Sequence, residues 1–295
     1  MASVPYVSAA AFRAFPSYMD TEGLNLPSLD DPEMQTAELT NRLLAASEWA
    51  DSEVDYTLGA ELHVQRERVD CNRDGTLTLH AEHRPVIQVT SVGYGYAPSA
   101  LTTLDNPSAW VEGDVNMVIT LTSSGSTPWS GSLQFGSPAL AGRVYAEAWY
   151  VAGYTATVLE SAASAADTAI TVTDPTGMTP GGRYRIFGGR DETVVVDPAW
   201  TPPVPSSSPL PATVDLQRPL RFDHEQDEEL SGMPADLRLA IVKHTIVQLL
   251  RPDSAAEDEY PDNASSTTRA DDPKTKGMGL LLDARRTLAS YARVR

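Results

Sequence analysis

Arg84-Pro85-Val86-Ile87-Gln88-Val89-Thr90-Ser91-Val92 divides the chain between two kinds of structure. Its β-branched residues fit a pleated surface, and Arg84-Pro85 holds the run off from what precedes it. Thr76 to His80, Val115 to Leu121 and Arg143 to Val151 read as strands too. Turn clusters such as Ser123-Ser124-Gly125-Ser126 separate them. Upstream the pattern is helical. Asp30-Asp31-Pro32-Glu33 supplies capping oxygens, a proline for the first turn and acids for the positive dipole end. Leu39, Leu43, Ala46, Ala50 and Val54 then recur at three- and four-residue spacing, with Gly59 as the expected stop. Trp49 lies beside this stripe and reads as a core or subunit-facing aromatic. Ser8 to Phe15 is a shorter helix signal, capped by Ser8 and closed by Pro16.

Downstream, Ala169 to Thr173, the turn Asp174-Pro175-Thr176-Gly177, and a hairpin of Arg183 to Phe187 with Glu192 to Val196 form a second β unit. The proline-dense stretch Pro198 to Pro211 is an extended exposed loop or tether, not a central strand. Leu237 to Leu250 is apolar almost all round and predicts a helix buried on several sides; a last helix begins near Leu280. The expected fold is α+β: a helical core with an antiparallel β portion and a small inserted β domain. Residues 1–154 and 219–295 make the core; residues 155–218 make the insert, with the Pro-rich loop at 198–211.

The formal net charge of −18 argues against a protein that grips nucleic acid by neutralising phosphates. Cys71 is the only cysteine, so no intrachain disulfide forms and a reducing cytoplasm is compatible. Met1 to Phe15 lacks the pattern of a signal peptide, and Leu237 to Leu250 is too short and too polar to span a bilayer, so no membrane role is expected.

Chemistry is hard to find. Asp70-Cys71-Asn72-Arg73-Asp74-Gly75 matches the start of a calcium loop, but the twelfth position, which needs a bidentate glutamate, is Ala81. A turn reading fits better. His80 and His83 flank Glu82 without zinc spacing, and His244 reads as a satisfied core histidine. Gly93-Tyr94-Gly95-Tyr96 is a turn or bulge, not a phosphate loop. The acidic runs Asp223 to Glu229 and Glu257 to Glu259 read as solvated loop faces. The expectation is no enzyme, no catalytic residue, no metal and no cofactor. From Arg269 to Arg295 seven basic residues face three acidic ones. Two readings stand: dipole compensation at a helix end, or a basic end that docks into an acidic groove of a partner.

The order of these pieces resembles head–tail adaptor (connector) proteins of long-tailed bacteriophages, of the type found in phages of actinobacteria. The helix Leu39 to Gly59 followed by the run at Arg84 to Val92 is similar to the opening half of that family. Leu216-Gln217-Arg218-Pro219-Leu220 with Met233 to Ala240 resembles the entry to its third helix. Leu282 to Arg286 through Tyr291-Ala292-Arg293-Val294-Arg295 resembles its closing helix and basic tail, and the unit with Pro180-Gly181-Gly182 looks like an insertion seen in such adaptors. The resemblance implies a homo-oligomeric ring, a dodecamer, assembled in the host cytoplasm at the virion neck. Its partners would be the portal protein above and the stopper or tail-terminator proteins below, with genomic DNA passing through without specific binding. The portal-docking residues it implies are Arg285, Arg286, Tyr291, Arg293 and Arg295, and deletion of Tyr291 to Arg295 should weaken docking while sparing the fold. The competing reading is a tail-associated or carbohydrate-binding β module stacking ligand on Tyr94, Tyr96, Trp110 and Trp129. A small β-rich hydrolase ranks third.

Overall fold

The computed structural model describes residues 4–15, 31–72, 76–121, 143–250 and 278–292. It corrects the expected fold class. Among the described residues the structure is mostly β, with 38% strand against 25% helix and four antiparallel sheets, so a helical core of long helices is not its architecture. The helices make one of three hydrophobic clusters, and the sheets make the other two. The physical reason is that a helix is a contiguous, conspicuous pattern, whereas several of these strands have only three to five residues.

The helical cluster joins α1 (Ala9–Ala14), α2 (Pro32–Val54), α3 (Ala235–Leu250) and α4 (Met278–Ala289). Ser8 caps α1 by accepting from the Ala11 N–H, and Asp31 caps α2 by accepting from Glu33 and Met34. Leu39, Leu43, Ala46, Ala50 and Val54 are all fully buried, so the α2 stripe lies where its spacing put it. The helix stops earlier than Gly59: Asp55 takes the left-handed cap with a φ of 68°. Gly59 instead gives its N–H to the Tyr6 hydroxyl at 3.0 Å. That hydroxyl donates to Asp51, whose carboxyl burial pushes up to about 6. On α3 no residue from Leu237 to Leu249 is exposed, as its all-round apolar pattern requires.

The second cluster lies between two sheets. One is ordered β1 (Glu61–Asp70), β7 (Arg143–Ala152), β3 (Val86–Ala97), β4 (Ala100–Asp105); the other β2 (Thr76–His80), β6 (Asn116–Thr120), β5 (Ala109–Glu112). Val144, Ala146, Ala148 and Tyr150 alternate inward from β7 and share the cluster with Leu77, Leu79, Met117 and Ile119. Each of those last four is fully buried and contributes about 1.5–3 kcal/mol.

The third cluster runs from Leu159 to Leu230. It holds β8 (Ala156–Val158), β9 (Ala169–Val172), β10 (Arg183–Phe187), β11 (Glu192–Val195), β12 (Ala212–Asp215) and β13 (Glu229–Ser231). One sheet is ordered β11-β10-β13-β8 and the other pairs β12 with β9. The β10–β11 hairpin is the one its sequence announces. Gly177 brings this unit against the larger sheets. Its φ is 84°, and a Cβ there would sit 2.4 Å from that of Ala60.

Asp223 to Glu229 is solvated only in part: Asp223, Glu225, Gln226 and Asp227 are exposed, as the acidic reading expects, while the other three residues turn inward. His224 is 2% exposed, Glu228 8% and Glu229 2%. The His224 ring faces Glu228 through Nδ1 at 2.7 Å and Glu192 through Nε2 at 3.4 Å. Glu229 accepts from Arg238 of α3 and from the Ser8 N–H that opens α1. A carboxylate is buried only when its oxygens are satisfied: Glu228 also accepts from the Gly189 N–H, Glu192 from the Arg221 N–H, and Glu229 is ion-paired with Arg238.

Candidate functional site

The C-terminal end of α4 is where sequence-predicted residues and geometry meet. Helix ends leave carbonyls without helical donors and a negative dipole end, so a cation is favoured there. Arg84, at the entry to β3, supplies it. Its Nη2 donates to the carbonyls of Tyr291 and Ala292, both at 2.6 Å. The Tyr56 hydroxyl donates to the same Tyr291 carbonyl at 3.0 Å, and the Arg84 guanidinium lies 5.6 Å from the Tyr56 ring centre. The Tyr291 hydroxyl donates to both oxygens of Asp236, at 2.8 and 3.0 Å. Burial first, then Asp236, raises the Tyr291 phenol above its ordinary range, so it stays a donor.

A second set of contacts runs along the helix. Arg285 pairs with Glu53 of α2 at 3.1 Å, and the Trp49 indole donates to the same carboxylate oxygen. Trp49 stacks on His244 with ring centres 3.8 Å apart. Lys243 of α3 pairs with Asp283. Burial pushes His244 down to about 4; the Arg285 charge adds to that and Glu53 opposes it.

This depressed pKa has a testable sign. As pH falls from 6.5 toward 4 the unfolded chain takes up a proton that the native imidazole refuses, so native stability is lost on acidification. His244→Phe keeps the stacking and removes that slope. Urea titrations at pH 7 and pH 5 are expected to show the parent losing about 1 kcal/mol more than the variant, after discounting for partial exposure. Equal losses would refute the assignment.

Of the five residues expected to dock a partner, Tyr291 and Arg285 are engaged within the chain. Arg286 stands on the exposed side of α4. Arg293 and Arg295 lie outside the described residues. Sequence reasoning passed over Arg84, Tyr56 and Asp236, and no local signal marks them: Arg84 stands 207 positions from Tyr291. Because Tyr291 is an anchor, its deletion would also loosen α4, so a deletion starting at Arg293 is the cleaner probe of docking.

Other candidates resolve into structural roles. Asn72 donates to Thr76 twice, from its N–H to the carbonyl and from its side-chain amide to the hydroxyl, both at 2.9 Å, as a turn residue does. Asp74 and Gly75 of that loop lie outside the described residues, as do the acidic group at Glu257 to Glu259 and Trp129. His80 contacts Asn116, while His83 stacks on His63 with ring centres 3.8 Å apart. Among the described residues no group of three His, Cys, Asp or Glu could hold a metal ion, and no helix is long and apolar enough to cross a membrane. Of the proposed sugar-stacking aromatics, Tyr94 is 3% exposed and cannot stack a ligand; Tyr96 and Trp110 are exposed. Set against known protein families and against curated proteins, the sequence matches none.

Proposed function

We propose that this chain is a structural virion protein, a ring-forming head–tail adaptor that sits below a phage portal, extends the DNA channel and offers a docking surface to stopper or tail proteins. The order of its sequence motifs supports the reading; the fold class, which is mostly β, does not enter into it. The observation that carries it is the three-way hold on Tyr291 by Arg84, Tyr56 and Asp236. A docking tail needs a fixed point of departure, because a tethered contact is strengthened when its root is already positioned. The sequence that follows this anchor carries Arg293 and Arg295. The net charge of −18 suits a conduit that must let DNA slide without gripping it.

The test is to mix the purified protein with purified portal rings and image the mixture by negative-stain electron microscopy. A collar added coaxially to the portal is the expected outcome. Bare portals of confirmed integrity beside unattached protein would end the proposal. Arg286→Glu, at an exposed position, is expected to lower collar occupancy about five- to tenfold, as charge reversal at an interface does, with only a small drop in thermal midpoint from an acid in the last turn of α4. Full occupancy with this variant would remove Arg286 from the docking surface.

A further inference from the structure

The outer face of the β1-β7-β3-β4 sheet carries an apolar platform. Along β7 the residues Val144, Ala146, Ala148 and Tyr150 point into the core, so Arg143, Tyr145, Glu147 and Trp149 face outward. Strand pairing places Trp149 between Val64 of β1 and Ser91 of β3. The next row is Arg66, Glu147 and Gly93. Trp149 is 38% exposed and Val64 47%, and the indole N–H is steadied by Glu147 at 3.1 Å. Ser91 is small, and the space over Gly93 is taken by the Leu101 side chain, so the apolar surface centres on Val64 and Trp149. The outer face of an antiparallel sheet is ordinarily polar, so an adjoining valine and tryptophan call for an occupant.

The same chain exposes a matching shape. Between β11 and β12 the proline-dense strap carries Val204 and Leu210, 86% and 78% exposed. Proline fixes its backbone and removes N–H donors, which makes such a segment a preordered ligand for flat aromatic surfaces. Within one copy the strap already arches over the far end of the sheet face. It encloses a cavity of about 200 Å³ there with Ile87, Gln88 and Val151. Arg66 is already paired with Glu147, which leaves Arg68, over the Tyr145 ring, as the platform's cation, and Asp197 and Asp215 stand at the two roots of the strap to meet it.

We propose that the strap of one copy docks on the Val64–Trp149 platform of the next, and that this is the lateral contact of the assembly; the inference rests on the ring-forming reading above. The contact is heterologous, with different surfaces meeting from each side, and repetition of such a contact closes a ring when the rotation between copies divides a full turn.

That asymmetry makes the test specific. Val204→Asp spoils the strap and leaves the platform; Trp149→Ser spoils the platform and leaves the strap. Sedimentation velocity on each purified variant, with folding checked by circular dichroism, is expected to show self-association weakened at least about tenfold, as loss of a central interface anchor does. An equimolar mixture of the two variants should form dimers and nothing larger, because one productive contact remains per pair. Where the parent assembles only on portal rings, the same variants are scored there, and lost collars support the proposal. Two variants that assemble like the parent would overturn the surface while leaving the adaptor reading intact. A Trp149→Ser variant that assembles normally beside a failing Val204→Asp would also overturn it, by showing that the strap engages another surface. A parent that neither self-associates nor decorates portals would overturn this contact and the adaptor reading together.

Discussion

Arg238→Ala is expected to lower the unfolding free energy by about 3–5 kcal/mol, because it leaves a buried carboxylate without its cation. Glu229 is 2% exposed on β13. Arg238 meets it from α3, with Nη2 at 2.7 Å and Nε at 3.0 Å from the same oxygen, and the Ser8 N–H takes the other oxygen at 2.8 Å. The guanidinium also lies 3.4 Å from the centre of the Phe187 ring, so it covers a surface as well as a charge. Burial raises the Glu229 carboxyl, while Arg238 and Ser8 pull it down. Removing the arginine raises it further. A carboxyl raised in the native state contributes stability at low pH that is lost as pH rises, so the deficit should be larger at pH 8 than at pH 5. Arg238→Lys keeps the charge but loses the fork and the ring contact, and should fall between the two. Chemical denaturation at both pH values checks all three statements. An alanine variant within about 1 kcal/mol of the parent at pH 8 would show that the pair contributes little.

Gly153→Ala is the second large effect. Gly153 follows β7 with a φ of 113°, and a Cβ there would lie 2.3 Å from the Gly59 carbonyl oxygen and 2.8 Å from that of Leu58. Neither is a side chain that can swing away. The same crossing holds the Tyr154 N–H on the Leu58 carbonyl at 2.7 Å and the Ala60 N–H on the Tyr154 carbonyl at 2.9 Å, which joins the exit of α2 to the exit of β7. Strain and collision together should remove about 3 kcal/mol or more, against about 1 kcal/mol for Gly113→Ala. Gly113 also has a positive φ, of 60°, but has nothing within 4 Å of its added methyl. Thermal midpoints of the two variants side by side give the comparison. Equal losses would mean that backbone strain alone governs both sites.

What could be read ahead of the structure was whatever has a period or a local partner. The α2 stripe repeats its apolar residues at helical spacing over Leu39 to Val54, and Asp31 caps donors two and three positions away. The β10–β11 hairpin likewise closes over a few residues. β1 escaped notice because Glu61-Leu62-His63-Val64-Gln65-Arg66-Glu67-Arg68 turns His63, Gln65 and Glu67 toward the protein side, so neither face alternates cleanly between apolar and polar. β13 escaped for a related reason. Glu229-Leu230-Ser231 is entirely buried, yet its glutamate follows an acidic run that looks like solvated loop. Only Arg238 and Ser8, the latter 221 positions away, make that burial affordable. These misses led to overweighting the helices in the fold class. The anchor of α4 was hidden in the same way, since nothing near Arg84 points to the carbonyls of Tyr291 and Ala292.

That anchor also bears on how the protein is made. Tyr56 and Arg84 leave the ribosome early, but their carbonyl partner belongs to Tyr291, more than two hundred codons later. Ser8 waits comparably long for Glu229. The small β unit, whose pairings all fall between Ala156 and Ser231, has no such wait and can form during synthesis. The helical cluster cannot close until translation has passed Tyr291. A stalled or prematurely terminated chain therefore displays its apolar helical face unpaired, which makes it a substrate for chaperones and proteases.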